Sequence, residues 1–333
     1  MGEGRQGRVR ARTVKPGSFL GHYEILEPLA KGGMAEVFLA RDSHGGKLVV
    51  LKRGLAEMME QDDLASMFYD EARLVSMFSH PNIVRTYDAR AAAAEHYYVM
   101  EYLDGLDCQQ LLHRVARAGH SIPLAVSVNL MIRLADALHY AHELCDENGK
   151  PLNIVHRDIS PGNLRLTLDG QVKLLDFGVA AAALEERTVT RVGQVKGKLT
   201  YMAPEQLAGS YDRRSDIFSL GVVLYELSTL TRFFGASKLV VEDRFGFKGA
   251  EKPTSIVPDY PPELEAIVMK ATASNPAHRY QTAAELGRKL VDFVVANEMR
   301  LSDEVLADFI IKLVELEKDP VEEPPPAELT VRA

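Results

Sequence analysis

The stretch His156-Arg157-Asp158-Ile159-Ser160-Pro161-Gly162-Asn163 decides the fold class of this 333-residue chain. Asp176-Phe177-Gly178 begins eighteen residues after Asp158, and Ala203-Pro204-Glu205 begins twenty-seven residues after Asp176. Taken singly, Asp158 fits a helix cap and Asp176 fits a turn. Those interpretations do not explain why the three motifs stand in this order and at this spacing.

The periodicity of apolar residues changes along the chain. Residues 23–52 show strand-like runs separated by glycine turns, whereas Leu64 to Phe78 repeats apolar residues at helical spacing. Two more strands are predicted near 83–87 and 97–102. From Leu124 onward the pattern is mainly helical, with helices predicted at 126–142, 216–230, 264–271 and 283–295. The sequence therefore predicts an α+β fold, in which a small β-rich part with one long helix precedes a mainly helical part.

Two smaller elements are also predicted. The runs 164–168 and 172–175 form a hairpin across the turn Asp169-Gly170. Ser302 is a predicted N-cap for a last amphipathic helix. The apolar face of that helix comprises Val305, Leu306, Phe309, Ile310 and Leu313.

Five motifs in the expected order resemble those of the protein kinases. The loop 156–163 is similar to the H-R-D-x-x-x-x-N catalytic loop, 176–178 to the D-F-G motif and 203–205 to the A-P-E motif. Val49-Val50-Leu51-Lys52 resembles the strand that carries the ATP-anchoring lysine, with Glu71 as the partner of that lysine. The Ser-Pro pair of the catalytic loop and the Tyr-Met-Ala-Pro-Glu-Gln segment most resemble bacterial serine/threonine kinases of eukaryotic type. The resemblance implies the bilobal protein-kinase fold, with a β-rich N-lobe and a mainly helical C-lobe.

The same resemblance implies a function and a set of site residues. The function is transfer of the ATP γ-phosphate to serine or threonine hydroxyls of protein substrates, with Mg²⁺ as the second cofactor. Asp158, Lys52 and Asn163 take catalytic roles, and Asn163 and Asp176 supply the oxygen ligands that Mg²⁺ requires. The implied nucleotide-binding residues are Leu29, Ala30, Lys31, Gly32, Gly33, Val37, Lys52, Glu71, Met100, Glu101, Leu103 and Asp107.

Within this set, 100–103 correspond to the hinge that binds adenine, and Asp107 is expected to reach the ribose. Two structural roles are implied as well. Glu205 and Arg279 match a buried ion pair whose disruption would cost about 3–5 kcal/mol. Asp216 is expected to cap the backbone of the catalytic loop.

Four departures from the family pattern affect the expected activity. In the glycine-rich loop, two of the three expected glycines are Ala30 and Ala35, and alanine costs about 1–2 kcal/mol at positive φ. Weaker ATP affinity is therefore expected. Arg165 stands where kinases place an apolar side chain under adenine, so its guanidinium must be solvated or stack on the base.

The other two departures form one hypothesis. Ser160 replaces the lysine that usually follows the catalytic aspartate by two residues, and Lys198 replaces a threonine of the activation segment. Because those positions touch across the active site in the family, Lys198 is a candidate catalytic residue that supplies the missing cation.

The activation segment is expected to be regulatory. Its threonines Thr190 and Thr188 lie among basic residues, and Arg157 is the kind of residue that pairs with a loop phosphate. Autophosphorylation is expected first at Thr190 and second at Thr188. Self-association for reaction in trans would be consistent with this.

Composition limits the other possibilities. The formal net charge of -8 argues against nucleic acid as a partner. Cys108 and Cys145 show no metal-ligand spacing, which predicts reduced thiols in a cytoplasmic protein. No membrane span is predicted, since the best candidate, 217–230, is too short and contains Glu226.

The chain is expected to divide into four parts. These are a basic disordered tail (1–22), a kinase domain (23–293, with the N-lobe at 23–102 and the C-lobe at 103–293), a helical extension (294–318) and an acidic, proline-rich disordered tail (319–333). No sensor domain is evident, so input is expected through partners, the tails or the activation segment.

Two other functions fit the residues less well. A pseudokinase acting as a binding or allosteric scaffold is favoured by Arg165, Ala30 and Ala35, but the intact catalytic set argues against it. A small-molecule kinase of the aminoglycoside type shares the H-x-D-x-x-x-x-N loop but not the Ala-Pro-Glu motif or the Glu205/Arg279 pair. Tyrosine specificity stays open, because the catalytic loop matches neither specificity signature.

Overall fold

The computed structural model describes residues 14–92, 95–177, 198–234 and 250–315. Its first layer is a six-stranded antiparallel sheet in the order β1-β2-β3-β4-β6-β5. The strands are β1 (Phe19–Leu20), β2 (Tyr23–Lys31), β3 (Ala35–Asp42), β4 (Leu48–Gly54), β5 (Thr86–Ala92) and β6 (Glu95–Glu101). Apolar side chains alternate along these strands, so one face encloses a small cluster that includes Ile25, Ala40 and Leu51.

The helices follow the sheet, and most lie after residue 107. Among the described residues they are α1 (Ala56–Met59), α2 (Asp62–Ser76), α3 (Cys108–Arg117), α4 (Leu124–His142), α5 (Pro204–Leu207), α6 (Arg213–Thr229), α7 (Pro253–Ile256), α8 (Pro262–Ala271), α9 (Ala283–Ala296) and α10 (Asp303–Glu315). Short 3-10 turns occupy Pro161–Asn163, Lys198–Tyr201 and Pro276–His278.

Helix α6 forms the centre of the helical part. It is buried along almost its whole length and packs against α4 and α8. Asp212 caps its N-terminus by accepting a hydrogen bond from the backbone of Arg214. Apolar residues lie on every side of this helix between Ile217 and Leu227, so it requires burial on every side, which explains its central position.

A second, three-stranded sheet connects the two parts. Its strands β7 (Gly105–Asp107), β8 (Leu164–Thr167) and β9 (Val172–Leu174) pair in that order. Gly105 pairs with Thr167, and a Cβ on Gly105 would lie 2.1 Å from the carbonyl oxygen of Leu166. Only glycine allows this close pairing.

Helix α10 packs on the turn of this hairpin. Gly170 has φ +81°, and a Cβ there would lie 2.0 Å from the carbonyl oxygen of Asp303, at the start of α10. The predicted N-cap is confirmed, since Ser302 Oγ accepts a hydrogen bond from the backbone of Val305. Leu306, Ile310 and Leu313 are buried in the same core cluster as α4 and α6. The extension is thus packed into the domain.

The fold class is confirmed, and several element boundaries differ from those predicted. The predicted tail 1–22 is ordered where it is described, because Phe19–Leu20 pairs with β2 and Val14 packs on the sheet cluster. Strand β5 begins at Thr86, later than predicted, since Ile83 instead makes an isolated bridge to Leu174. Residues 1–13 and 316–333, and with them the predicted acidic tail, lie outside the described residues.

The sequence did not predict β7, α1 or α3. Strand β7 has three residues, and it forms because β8 offers a free edge, so its existence depends on tertiary contacts. Within the described residues, none of the helices combines the length and apolar character that crossing a bilayer needs.

Candidate active site

Lys52 lies at the centre of the candidate site. It projects from β4, and its Nζ donates to Glu71 Oε1 at 2.6 Å and to Asp176 Oδ1 at 3.1 Å. Helix α2 supplies Glu71 from its buried face, and the segment after β9 supplies Asp176. The structure therefore brings together three predicted residues, with Glu71 lying 19 positions and Asp176 lying 124 positions after Lys52 in the sequence.

Tyr98 is a fourth member of this group, and it was not predicted from the sequence. Its hydroxyl, on β6, donates to Glu71 Oε1 at 2.6 Å, and its buried ring lies 5.5 Å from Lys52 Nζ. One carboxylate oxygen of Glu71 thus accepts from both an ammonium and a phenol. Tyr98 reads in sequence as an apolar strand residue, so only the pairing of Lys52 with Tyr98 across β4 and β6 could have indicated its role.

The protonation states of this group follow from its surroundings. Burial alone would lower the pKa of Lys52, but Asp176, Tyr98 and Glu71 together raise it well above its ordinary value. Burial also raises the pKa of Tyr98 well above its usual range. Both groups therefore stay protonated at neutral pH and act as donors.

The catalytic loop places its two polar residues side by side. Asn163 Nδ2 donates to the backbone oxygen of Asp158 at 2.7 Å and to Asp158 Oδ2 at 3.0 Å. The 3-10 turn Pro161–Asn163 produces this approach, closed by a hydrogen bond from the backbone of Asn163 to that of Ser160. Because the amide nitrogen is used in this way, the amide oxygen of Asn163 is the atom able to ligate a cation.

Asp216 holds the loop from below, as predicted. Its two carboxylate oxygens accept from the backbone of His156 and of Arg157 at 2.8 and 2.9 Å, and His142 Nε2 lies 2.8 Å from Oδ2. Burial alone would raise the pKa of Asp216, but the hydrogen bonds from His142 and from the backbone of His156 hold it below its ordinary value. Arg157 has φ +67°, a strained conformation that these bonds stabilise.

His156 connects the loop to the segment that carries Asp176. Its Nε2 lies 2.9 Å from the backbone oxygen of Leu175, and the backbone of Asp158 donates to its Nδ1 at 3.3 Å. Burial lowers the pKa of His156, so the ring is neutral and carries its proton on Nε2. Phe177 stacks between His156 and Phe78, with ring centroids 4.5 and 4.3 Å apart.

The predicted hinge lies at the end of β6. Met100 and Leu103 are largely buried, and Glu101 Oε1 accepts from Lys173 Nζ at 2.7 Å and from the backbone of Arg85 at 2.8 Å. Lys173, a buried residue of β9, was not predicted. It connects the hinge to the strand that leads to Asp176.

Arg165 is half-buried, and its guanidinium makes two hydrogen bonds to the protein backbone that the sequence did not predict. Its guanidinium donates to the backbone oxygen of Leu103 at 2.9 Å and to that of Gly105 at 2.7 Å. Asp107 pairs with Arg165 across β7 and β8. The side chain therefore holds the segment that follows the hinge, through its Nε and one of its Nη groups.

The glycine-rich loop forms the turn between β2 and β3. Ala30 pairs with Val37 and Lys31 with Glu36, and the backbone of Gly32 donates to Ala35 at 2.8 Å. Neither alanine has a positive φ. The backbone strain that the two alanines could have introduced is therefore absent from this turn.

The other predicted residues lie as follows. Leu29, Ala30, Lys31, Gly32 and Gly33 are exposed along the turn, and Val37 is half-buried. Asp107 caps α3 in a capping box with Gln110, so one carboxylate oxygen already accepts a backbone hydrogen bond at 2.7 Å. The backbone of Lys198 begins a 3-10 turn. Its side chain, Gly178, Thr188 and Thr190 lie outside the described residues.

The predicted pair of Glu205 and Arg279 is confirmed. Arg279 Nη1 and Nη2 donate to the two carboxylate oxygens at 2.6 and 2.7 Å, and Ser215 adds a third bond to Glu205. The backbone oxygens of Ala273, Arg214 and Ser274 accept the remaining Arg279 donors. Such a bidentate, fully bonded geometry is what a buried pair needs to be stable.

Comparison with known proteins agrees with this geometry. The family model described as "Protein kinase domain" matches residues 23–291. The chain is 47% identical over 280 residues to the "Tyrosine-protein kinase MasK" of Myxococcus xanthus, covering 82% of this chain and 43% of that protein. It is 34% identical over 275 residues to the "Serine/threonine-protein kinase PknB" of Mycobacterium leprae, covering 81% and 42%.

Among solved structures, the PknI kinase domain of Mycobacterium tuberculosis superposes with a TM-score of 0.62 at 23% identity, covering 84% of this chain and 99% of that one. At that identity the likeness supports the fold. The chain spans about two fifths of the length of the curated relatives it matches. It belongs to the protein kinase family.

Proposed function

We propose that this chain transfers the γ-phosphate of ATP to serine or threonine hydroxyls of protein substrates. The observation that carries the proposal is the position of Lys52 between Glu71 and Asp176, at 2.6 and 3.1 Å. Without a partner, a lysine loses side-chain entropy when it binds phosphate. Glu71, which is itself held by Tyr98, fixes the ammonium before any ligand binds, so less entropy is lost when a polyphosphate binds.

The donor set also fits Mg²⁺. Asp176 offers a carboxylate that is 43% exposed, and Asn163 offers an amide oxygen, both of which are hard ligands. When bound, Mg·ATP supplies the transferable phosphoryl group and offsets its charge. Asp158, fixed by Asn163, accepts the proton of the substrate hydroxyl or orients that hydroxyl.

The arrangement of Arg165 and of the glycine-rich loop weakens the pseudokinase alternative. The guanidinium of Arg165 is bonded to two backbone oxygens, and Ala30 and Ala35 cause no backbone strain. The features that favoured a scaffold therefore have structural explanations that do not require the loss of nucleotide binding.

The proposal is tested by incubating the purified chain with labelled Mg·ATP and a general protein substrate. We expect phosphoserine or phosphothreonine, and a loss of at least a hundredfold in Asp158→Asn. A chain that takes up no label and shows no thermal shift with Mg·ATP would instead be a scaffold. At a hundred times its Kd, a ligand stabilises the folded state by about 2.7 kcal/mol, so binding is readily detected.

Tyrosine specificity is the second candidate, because a relative at 47% identity bears the name of a tyrosine kinase. PknB, at 34% identity, bears the name of a serine/threonine kinase. Phospho-amino-acid analysis of the same reaction separates the two, and phosphotyrosine alone would replace the proposed specificity.

Two finer proposals concern the activation segment. In the first, Lys198 supplies the cation that Ser160 does not. Lys198→Ala should then reduce phosphotransfer and leave Mg·ATP binding intact. An unchanged rate would remove Lys198 from the catalytic set.

The second proposal concerns phosphorylation of the same segment. Thr190 receives the regulatory phosphate first and Thr188 second, by reaction between two copies of the chain. Mass spectrometry that finds phosphate only outside 180–200 would contradict this.

A further inference from the structure

Two histidines and an aspartate meet at the edge of the sheet and share no residue with the candidate active site. His22 lies in the turn between β1 and β2, Asp42 ends β3, and His44 lies in the turn that leads to β4. The side-chain ligand atoms of all three lie within 4.8 Å of one another.

The two separations that involve Asp42 are too long for hydrogen bonds and close to those between ligands of one metal ion. His22 Nε2 lies 3.6 Å from Asp42 Oδ1, and His44 Nδ1 lies 3.7 Å from the same oxygen. A hydrogen bond to a carboxylate has a length of about 2.7–3.2 Å, so neither contact is one. Ligands that bind a tetrahedral ion at about 2.0–2.2 Å are separated by about 3.3–3.6 Å.

Backbone hydrogen bonds hold the two turns together. The backbone of Ser43 donates to that of His22 at 3.1 Å, which ties the first turn to the second. The second turn closes by bonds from Asp42 to Lys47 at 2.9 Å and from Gly46, at φ +69°, to Asp42 at 2.7 Å. The three side chains are thus presented by a backbone that is already fixed.

The carboxylate and the rings are also oriented. Asp42 Oδ1 accepts from the backbone of His44 at 2.9 Å, an outer hydrogen bond of the kind that positions ligating carboxylates. The imidazole centroids of His22 and His44 are 4.5 Å apart, and the ring of Tyr23 lies 4.0 Å from that of His22. The side chains of His22 and Asp42 are 25% and 28% exposed, whereas that of His44 is 76% exposed, so one side of the group opens to water.

We propose that His22, Asp42 and His44 form a binding site for a divalent transition metal such as Zn²⁺, with water as the fourth ligand. Two imidazoles and one carboxylate are a donor set that suits Zn²⁺ and disfavours Mg²⁺ or Ca²⁺, which take oxygen ligands. The bound ion joins the β1–β2 turn to the β3–β4 turn and so restrains the edge of the sheet.

The alternative is that the three residues form only a solvated ion-pair group, with a protonated histidine beside the carboxylate. That group would need no metal and would contribute little, as exposed ion pairs do. The two possibilities differ in what Zn²⁺ does to the protein.

The test is calorimetric titration of the whole chain with Zn²⁺ as the titrant, with excess Mg²⁺ present throughout to occupy oxygen-rich sites. We expect one equivalent to bind, and binding at least tenfold weaker in His44→Ala, in Asp42→Asn and in His22→Ala. His44 is 76% exposed, so its replacement leaves the fold intact. His120→Ala, an exposed histidine outside the group, is the matched control and should bind as the unaltered chain does.

Titration with Co²⁺ gives a second readout, since its visible absorption reports imidazole and carboxylate ligands in a tetrahedral field. Equal Zn²⁺ affinity in the unaltered chain and in all three variants would overturn the proposal, as would a Co²⁺ spectrum unaffected by His44→Ala. Neither measurement involves ATP or phosphotransfer, so the outcome is independent of the proposed kinase activity.

Discussion

Glu71 positions the central lysine of the candidate site, and a single carboxylate oxygen of Glu71 accepts hydrogen bonds from both Lys52 and Tyr98. The raised pKa values of Lys52 and Tyr98 keep both donors protonated over the whole physiological range. A charge-assisted hydrogen bond between buried groups is worth about 1.5–3 kcal/mol. The position of Glu71 therefore depends on the phenol as well as on the ion pair.

Removal of that phenol should affect activity as well as stability. In Tyr98→Phe, Glu71 loses the hydrogen bond from the phenol and positions Lys52 less well. We therefore expect kcat/KM for ATP to fall by about tenfold. Steady-state kinetics at varied ATP concentration measures this. Tyr87→Phe, an exposed tyrosine of β5, is the control and should leave kcat/KM unchanged. A stability loss with no change in kcat/KM would limit Tyr98 to a structural role.

Replacement of Arg165 distinguishes a residue that stabilises the fold from one that obstructs nucleotide binding, as the pseudokinase interpretation would require. Arg165→Leu leaves two backbone oxygens without donors, so we expect the free energy of unfolding to fall by about 1–3 kcal/mol and the Mg·ATP affinity not to increase. Urea denaturation and thermal shift with Mg·ATP measure the two quantities. Tighter nucleotide binding in the leucine variant would show instead that Arg165 obstructs the adenine site.

At the scale of elements, the catalytic loop is held between α6 and the segment after β9. Asp216, on α6, binds the backbone at 156–157, and His156 binds that of Leu175. Because the pKa of buried His156 is lowered, the unfolded chain takes up a proton at higher pH than the folded one does. The free energy of unfolding must then decrease as pH falls through the ordinary histidine pKa.

We accordingly expect stability to decline from about pH 7 towards pH 5, beginning near the unfolded histidine pKa of about 6.5. Asp216, whose folded pKa is depressed, adds a further loss only below about pH 4. His156→Phe should reduce the slope between pH 7 and 5, as measured by urea denaturation at several pH values. His120→Ala should keep the slope of the unaltered chain, and an unchanged slope in His156→Phe would assign the titration elsewhere.

The long elements and the motif residues could be predicted from the sequence, because each has a strong local signal. Helix α2 and the pair of Lys52 with Glu71 followed from periodicity and motif order. Tyr98, Lys173 and the bonds of Arg165 could not be predicted, since each depends on which strands pair and on where a long side chain ends. Strand β7 was missed for the same reason.

At the scale of the whole molecule, one core cluster extends from α2 through α4 and α6 to α10. Leu306 and Ile310 are fully buried within it, while Ile311 on the other face of α10 is exposed. The last helix therefore stabilises the hairpin that carries the catalytic loop, although the family match ends at residue 291.

Truncation of a buried side chain on α10 tests this. In Leu306→Ala we expect the free energy of unfolding to fall by about 2–5 kcal/mol, because a cavity opens beside α4 and β8. Ile311→Ala should cost less than about 1 kcal/mol, as an exposed control. Equal effects of the two substitutions, measured by urea denaturation, would show that α10 is not part of the cooperative unit.

Gly170 has a consequence for recombination between relatives. Since a methyl group there would overlap the first carbonyl of α10, a hairpin tip bearing any larger residue fits only a last helix that starts elsewhere. Hybrids that exchange the tip and retain the last helix should fold poorly, whereas hybrids that inherit both from one parent should be tolerated. The hairpin tip and the start of the last helix, although more than a hundred positions apart in sequence, must therefore come from the same parent.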